Sequence, residues 1–139
     1  MTKDLHKVAL SIIEKSGKAF IGSVDSDGYP NIKAMLKPRE QNGIKDFYFT
    51  TNTSSMRVTQ FRANPKASLY FYDGRFFRGV MLIGTMNVLT DQATKDHIWR
   101  DGDTMYYQLG VSDPDYCVLK FTAIKGRIYQ NFHSDDFTV

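Results

Sequence analysis

Cysteine is almost missing from this chain, and that scarcity sets the first limits. One residue, Cys117, excludes an intrachain disulfide and any metal site built on several cysteines. Its strand-like surroundings, with no adjoining helix start or base, mark it as a buried, inert thiol. Histidine is scarce too: His6, His97 and His133 are scattered, with no pair at metal-ligand spacing, so no metal is expected. GxSxG elbows, Walker loops and HExxH runs are all absent. Asp25 and Asp27 flank a turn, where aspartate is favoured for backbone reasons. Nothing calls for a general acid–base pair. That silence points to chemistry supplied by a cofactor, or to no chemistry at all. Long apolar runs are lacking, so no membrane partner is expected. The formal charge of +3 is too slight to argue for nucleic acid. Met1–Lys7 leads into an amphipathic, charged helix unlike a signal peptide, and the expected location is cytoplasmic.

What is present is an ordinary globular composition. A chain of 139 residues, 42% apolar and 24% charged, fits one domain, 1–139, with a small core. Aromatics are plentiful at 14%, with ten Phe and eight Tyr, which favours strands and a face for a flat ligand or a partner chain. Leu5, Val8, Ile12 and Ile13 stand at helical spacing over 3–16, with Thr2 as cap and Gly17 as stop. Strands are expected at Ala19–Val24, Pro30–Leu36, Lys45–Thr51, Lys66–Tyr72, Phe76–Leu89, Cys117–Ala123 and Arg127–Phe132. Short helices fall at Ser55–Ala63, stopped by Asn64-Pro65, and from the cap Asp91 to about Arg100. Gly79 and Gly84 inside an apolar run suggest bends or bulges. The tail His133–Val139 is polar and expected to fray. Together these predict a mainly β (α+β) fold, a closed antiparallel barrel with peripheral short helices.

The richest stretch is Phe49-Thr50-Thr51-Asn52-Thr53-Ser54-Ser55-Met56-Arg57. It reads as a strand entering a hydroxyl-rich turn and then a helix. Arginine in the first turn faces the positive end of the helix dipole, a small local cost. Hydroxyls, free N–H groups and a cation at one helix start make a good phosphate pocket. The same residues also fit a plain Ser54 or Ser55 cap with Arg57 in water. A hairpin at Gln41-Asn42-Gly43 would make the second and third strands neighbours, bringing Lys33 beside Tyr48 or Thr50. Strand backbone there would offer N–H and C=O groups to the edge of a ring system.

These residues resemble a known family. Asp27-Gly28-Tyr29-Pro30 before a strand, Phe47–Thr51 followed by Ser55-x-Arg57, and Gln60-Phe61-x-x-Asn64-Pro65-Lys66-Ala67 are similar to the flavin-binding half of the pyridoxamine 5′-phosphate oxidase-like split barrels. Gly84–Asp91 with Lys95 and Trp99, and Tyr107-x-x-Gly110-x-x-x-Pro114-Asp115, extend the likeness over about 5–130, nearest the general stress protein branch. The resemblance implies a six-stranded split β-barrel that forms a homodimer with FMN at the subunit interface. It implies a phosphate site of Lys33, Ser55 and Arg57, beside the Ser54 hydroxyl of the same helix start, and a ring lying along Tyr48, Phe49, Thr50 and Thr51. Trp99 falls near the ring or the dimer contact in many members, and equally suits an amphipathic helix anchoring its aromatic in the core.

One departure matters. The true pyridoxamine phosphate oxidases carry arginine and histidine in a C-terminal segment that holds the substrate phosphate. The tail Asn131-Phe132-His133-Ser134-Asp135-Asp136 lacks an arginine cluster, so pyridoxamine phosphate is not the expected substrate. The expectation is a small FMN-dependent oxidoreductase with an unknown redox partner and no assigned catalytic residue. A flavin carrier or stress-linked sensor, or a deazaflavin or haem ligand, shares these features. Nucleic-acid binding through Lys33, Arg57 and Arg62 is weighed down by Asp25, Asp27, Asp46 and Asp73.

Overall fold

A computed structural model describes residues 2–139, with side chains from Leu5 onward. The cap expected of Thr2 lies outside those side chains. The element order is α1 (Thr2–Lys15), β1 (Ala19–Val24), β2 (Pro30–Met35), β3 (Glu40–Asn42), β4 (Asp46–Asn52), α2 (Met56–Ala63), β5 (Lys66–Asp73), β6 (Arg78–Leu89), α3 (Gln92–Ile98), β7 (Tyr116–Gln130) and β8 (His133–Thr138). None of the described helices is long and apolar enough to cross a membrane.

The strands form one antiparallel eight-stranded sheet in the order β2-β1-β5-β6-β7-β4-β3, with β8 also on β7. Alternation decides which faces turn inward. Along β4, Phe47, Phe49 and Thr51 are buried while Tyr48 and Thr50 are half-exposed on the other face. Phe47 packs on Phe71 and Phe121 with ring centroids 5.6 and 6.2 Å apart. Ile21, Leu69, Leu82 and Leu119 fill the space around them. The apolar face of α1, with Ala9, Ile12 and Ile13, closes one side of this core. Its end is pinned by Ser16, whose hydroxyl donates to the Lys18 carbonyl at 2.7 Å and accepts from the Tyr72 N–H at 3.1 Å. A second, smaller cluster of Ile98, Tyr107, Tyr116 and Val118 lies outside the main core.

Several sequence expectations need correction. The mainly β fold with peripheral helices is as expected, but the sheet is not closed, and among the described residues it holds eight strands where six were expected. The hairpin at 41–43 is real, yet it joins β3 to β4. The second and third expected strands are therefore not paired: β2 bonds only to β1. Cys117–Ala123 and Arg127–Gln130 are parts of one continuous strand, β7, and Asn131 and Phe132 turn the chain into β8. The sequence Lys125-Gly126 looks like a turn, but Gly126 serves close approach: a Cβ there would lie 2.5 Å from the Phe137 ring and 2.8 Å from the Met81 carbonyl oxygen. The tail does not fray. It is β8, paired with Lys125–Gln130 and anchored by buried Phe137.

The long strand pair β6–β7 bends at a register shift between Ile83 and Gly84. A Cβ on Gly84 would sit 1.9 Å from the Thr122 carbonyl oxygen, so only glycine fits. Gly84→Ala is expected to lower stability by about 2 kcal/mol through forced backbone movement. Denaturant unfolding of the variant checks this; an unchanged midpoint would mean the bend does not need glycine.

Candidate functional site

The strand-to-helix turn forms as its residues dictate. Ser55 caps α2 from an extended conformation, its hydroxyl accepting from the Val58 N–H at 3.4 Å. Asp115 fastens the turn: its carbonyl accepts from the Thr53 N–H at 2.8 Å, and its carboxylate accepts from the Ser54 N–H at 2.8 Å and the Asn52 amide at 3.0 Å. Those bonds, the Ser54 N–H foremost, hold the Asp115 carboxyl below its ordinary pKa.

Arg57 follows on the exposed start of a helix with no acid in its first turn. Its guanidinium makes no hydrogen bond or ion pair among the described residues, and its Nε is buried without a partner. Burial pulls its pKa down, but arginine stays charged at any accessible pH. A desolvated, unpaired cation is costly unless an anion joins it.

Arg57 borders a cleft of about 370 Å³. One wall is β2 and the linker after it, with Lys33, Lys37 and Arg39; the other is Phe49–Asn52 with Ser55. Tyr106 and Tyr107 close one side. Curling of the open sheet, not strand pairing, brings Lys33 to Thr50 and Arg57. The walls are strand edges. β3 covers only Asp46–Tyr48 of β4, and no strand pairs with the outer edge of Phe49–Asn52 among the described residues. Carboxylate, imidazole and thiol groups are all missing from the lining.

Among the cleft cations, Arg39 is neutralised. Its two terminal nitrogens donate to Asp103 at 2.7 and 2.8 Å, with the side chains 12% and 5% exposed. The Arg100 N–H adds a bond to Asp103 at 2.9 Å. Burial alone would push the Asp103 carboxyl up, but the Arg39 and Arg100 bonds outweigh it and hold it below its usual range. This pair ties the segment bearing Tyr106 and Tyr107 to the linker. Tyr107 is buried, and burial pushes its phenol up against the lowering effect of a Thr50 hydrogen bond.

Lys33, Phe49, Thr50, Thr51, Ser55 and Arg57 line the cleft as expected. Ser54, Tyr48 and Trp99 do not. Ser54 is turned to Asp115. Tyr48 packs against the second cluster. Trp99 packs edge-on to Tyr116 with centroids 5.2 Å apart, the anchoring alternative. Lys37, Arg39 and Tyr106 were missed; the cations flanking Pro38 are their only sequence signal. A hollow of about 430 Å³ beside Met81 and Ile83 is larger, but its Arg127 is already paired with Asp136 at 2.6 Å.

Residues 5–130 match the family model described as pyridoxamine 5′-phosphate oxidase. The chain belongs to the pyridoxamine 5′-phosphate oxidase family. A solved protein of Clostridium acetobutylicum, related to general stress protein 26 and described as of the pyridoxinephosphate oxidase family, is 38% identical with a TM-score of 0.89, over 100% of this chain and 97% of that one. An FMN-binding protein of Nostoc punctiforme shares the fold at 13% identity, TM-score 0.73, over 99% and 95% of the two chains. Among family members, a pyridoxine/pyridoxamine 5′-phosphate oxidase of Allorhizobium ampelinum is 32% identical over 88 residues, 63% of this chain and 41% of that protein. One of Caulobacter vibrioides is 35% identical over 72 residues, 51% and 31%. The chain thus spans well under half the length of these relatives.

Asp103→Asn leaves Arg39 buried without its charge and should cost about 3 kcal/mol near neutral pH. Because the folded-state carboxyl is depressed, its contribution is complete above the unfolded value of about 3.9 and is lost as pH falls through the folded value. The stability gap between wild type and variant should be constant from neutrality to mild acid and close below about pH 4. Urea titrations at several pH values check this; a gap independent of pH in that acid range would refute the ion-pair account.

Proposed function

We propose that the chain binds FMN in the basic cleft, as a homodimer in the cytoplasm, and works as a small flavin-dependent oxidoreductase. The observation that carries this reading is Arg57, whose buried Nε has no partner, lining the same cleft as Lys33, which makes no ion pair among the described residues. Two cations and the Ser55 helix start suit a phosphate monoester dianion. The free edge of Phe49–Asn52 suits the hydrogen-bonding rim of a flat ring. The cleft volume also lies in the range of small-molecule sites, roughly 300–1,000 Å³.

Bound FMN supplies hydride and electron transfer. The protein's own residues bind and orient: Lys33, Ser55 and Arg57 hold the phosphate, Thr50 and Thr51 flank the ring, and Tyr106 and Tyr107 exclude water. With no carboxylate, imidazole or thiol in the lining, no side chain is assigned a proton-transfer role. Exposed Ile32 and Leu36 beside the cleft, 78% and 67% accessible, are the surface a second copy would cover. Carriage of flavin without turnover is the second reading, favoured by the same lack of an acid–base group; NADH and NADPH oxidation by the loaded protein separates the two.

Arg57→Ala and Lys33→Ala should each weaken FMN binding by roughly ten- to hundredfold, since a hydrogen bond to a charged group is worth about 1.5–3 kcal/mol. Riboflavin, which lacks the phosphate, should bind unchanged. Fluorescence titration with both ligands checks this. Unchanged FMN affinity in the folded double variant would sink the assignment.

A further inference from the structure

The two unpaired cations stand on elements that share no backbone ladder. Lys33 belongs to β2, which bonds only to β1, and Arg57 to α2. A chain of side-chain hydrogen bonds spans the gap. Gln60, 7% exposed, donates from Nε2 to Asn31 Oδ1 at 3.2 Å. Its Oε1 accepts from the hydroxyl of Ser23, 4% exposed, on β1. Asn31 in turn donates from Nδ2 to Asp25 Oδ2 at 3.1 Å. The other oxygen of Asp25 accepts from the Asp27 and Tyr29 N–H groups at 3.0 and 2.9 Å, which fixes the β1–β2 turn.

The spacing of these residues is informative. Asn31 precedes Lys33 by two positions, so both project from one face of β2. Gln60 follows Arg57 by three, so both share a face of α2. Each cation therefore has a member of the network as its neighbour on its own element. Helix α2 is short, and its core anchors are only Val58 and Phe61. A helix of that length does not hold its position by propensity. An apolar side chain in place of Gln60 would fill the space without a fixed partner. A buried amide must instead find its hydrogen bonds, and finding them sets a distance.

We propose that Gln60 and Asn31 are positioning residues for the anion site: their amide–amide bond sets the spacing between Arg57 and Lys33 so that both engage one phosphate. This rests on the reading of the cleft as the FMN site. The network touches neither the ring edge at Phe49–Asn52 nor the tyrosines, so it acts on the phosphate alone.

The test uses Gln60→Leu and Asn31→Ala, each titrated with FMN and with riboflavin, alongside thermal unfolding. Asn31 is half-buried on an edge strand, so Asn31→Ala carries the test should Gln60→Leu fail to fold. The expected result is an FMN affinity about tenfold lower in each folded variant, from a misplaced charged hydrogen bond, with riboflavin affinity unchanged. The double variant should lose less FMN affinity than the sum of the two singles, because both remove the shared Gln60–Asn31 bond. FMN and riboflavin affinities falling together would show a merely structural role and overturn the proposal. A wild-type preference for FMN that survives both substitutions would also overturn it, while leaving the cleft reading intact. A wild-type protein that binds the two ligands equally, or neither, would overturn the cleft reading and this proposal with it.

Discussion

Everything in this fold hangs on the double use of β7. One edge bonds along β6. The other is shared: Tyr116–Thr122 pairs with β4, and Lys125–Gln130 pairs with β8. A strand that long cannot stay flat along two successive partners, because twist accumulates along it. The bulge at Ile83/Gly84 takes up the bend, and Gly126 lets Phe137 of β8 and the carbonyl of Met81 approach. The position of β4, and with it the turn at Thr53–Ser55 and the start of α2, follows from that register. Asp115, just before β7, fastens the same turn by side chain and backbone. The site is thus placed by the longest element in the molecule rather than by its own short helix.

The open sheet explains why a ligand cleft exists at all. A closed barrel has no edges, whereas this one leaves β2 and the far half of β4 facing each other across a gap. Free strand edges are a hazard for aggregation, and proteins usually blunt them with charge. Here Lys33, Lys37 and Arg57 border the gap, and like charges on its two sides disfavour pairing of the edges. The same charges that protect the edges also select an anionic occupant.

Local pattern made much of this legible. The strands Lys45–Thr51 and Lys66–Tyr72 were readable from alternation, because one face of each is buried. The cap at Ser55 and the stop at Asn64-Pro65 were also readable, since each rests on the chemistry of adjacent residues. What stayed hidden was long-range. Glu40-Gln41-Asn42 has no apolar alternation, and its three residues are exposed, so nothing marked β3. Gly126 mimicked a turn because close approach and chain reversal both call for glycine. Six of the residues expected at the site do meet in the cleft, but by curling rather than by the hairpin that was to bring them together. Ser54, Tyr48 and Trp99 lie outside the cleft lining for a common reason. Sequence gives neighbours along the chain, while Asp115 and the Tyr107–Tyr116 cluster that claim these three come from elsewhere.

The treatment of the cleft arginines separates structure from function. Arg39 and Arg57 are both partly buried, yet one holds a bidentate carboxylate and the other holds nothing. Had Arg57 served only the fold, a carboxylate at its side, or a leucine in its place, would have been more stable. Asp115, distant in sequence, binds the same turn, but its oxygens are committed to Ser54 and Asn52. The acid is held away from the guanidinium by the very bonds that shape the turn. A fold that spends a carboxylate on backbone N–H groups and leaves a neighbouring cation bare is one in which the missing anion comes from outside the chain.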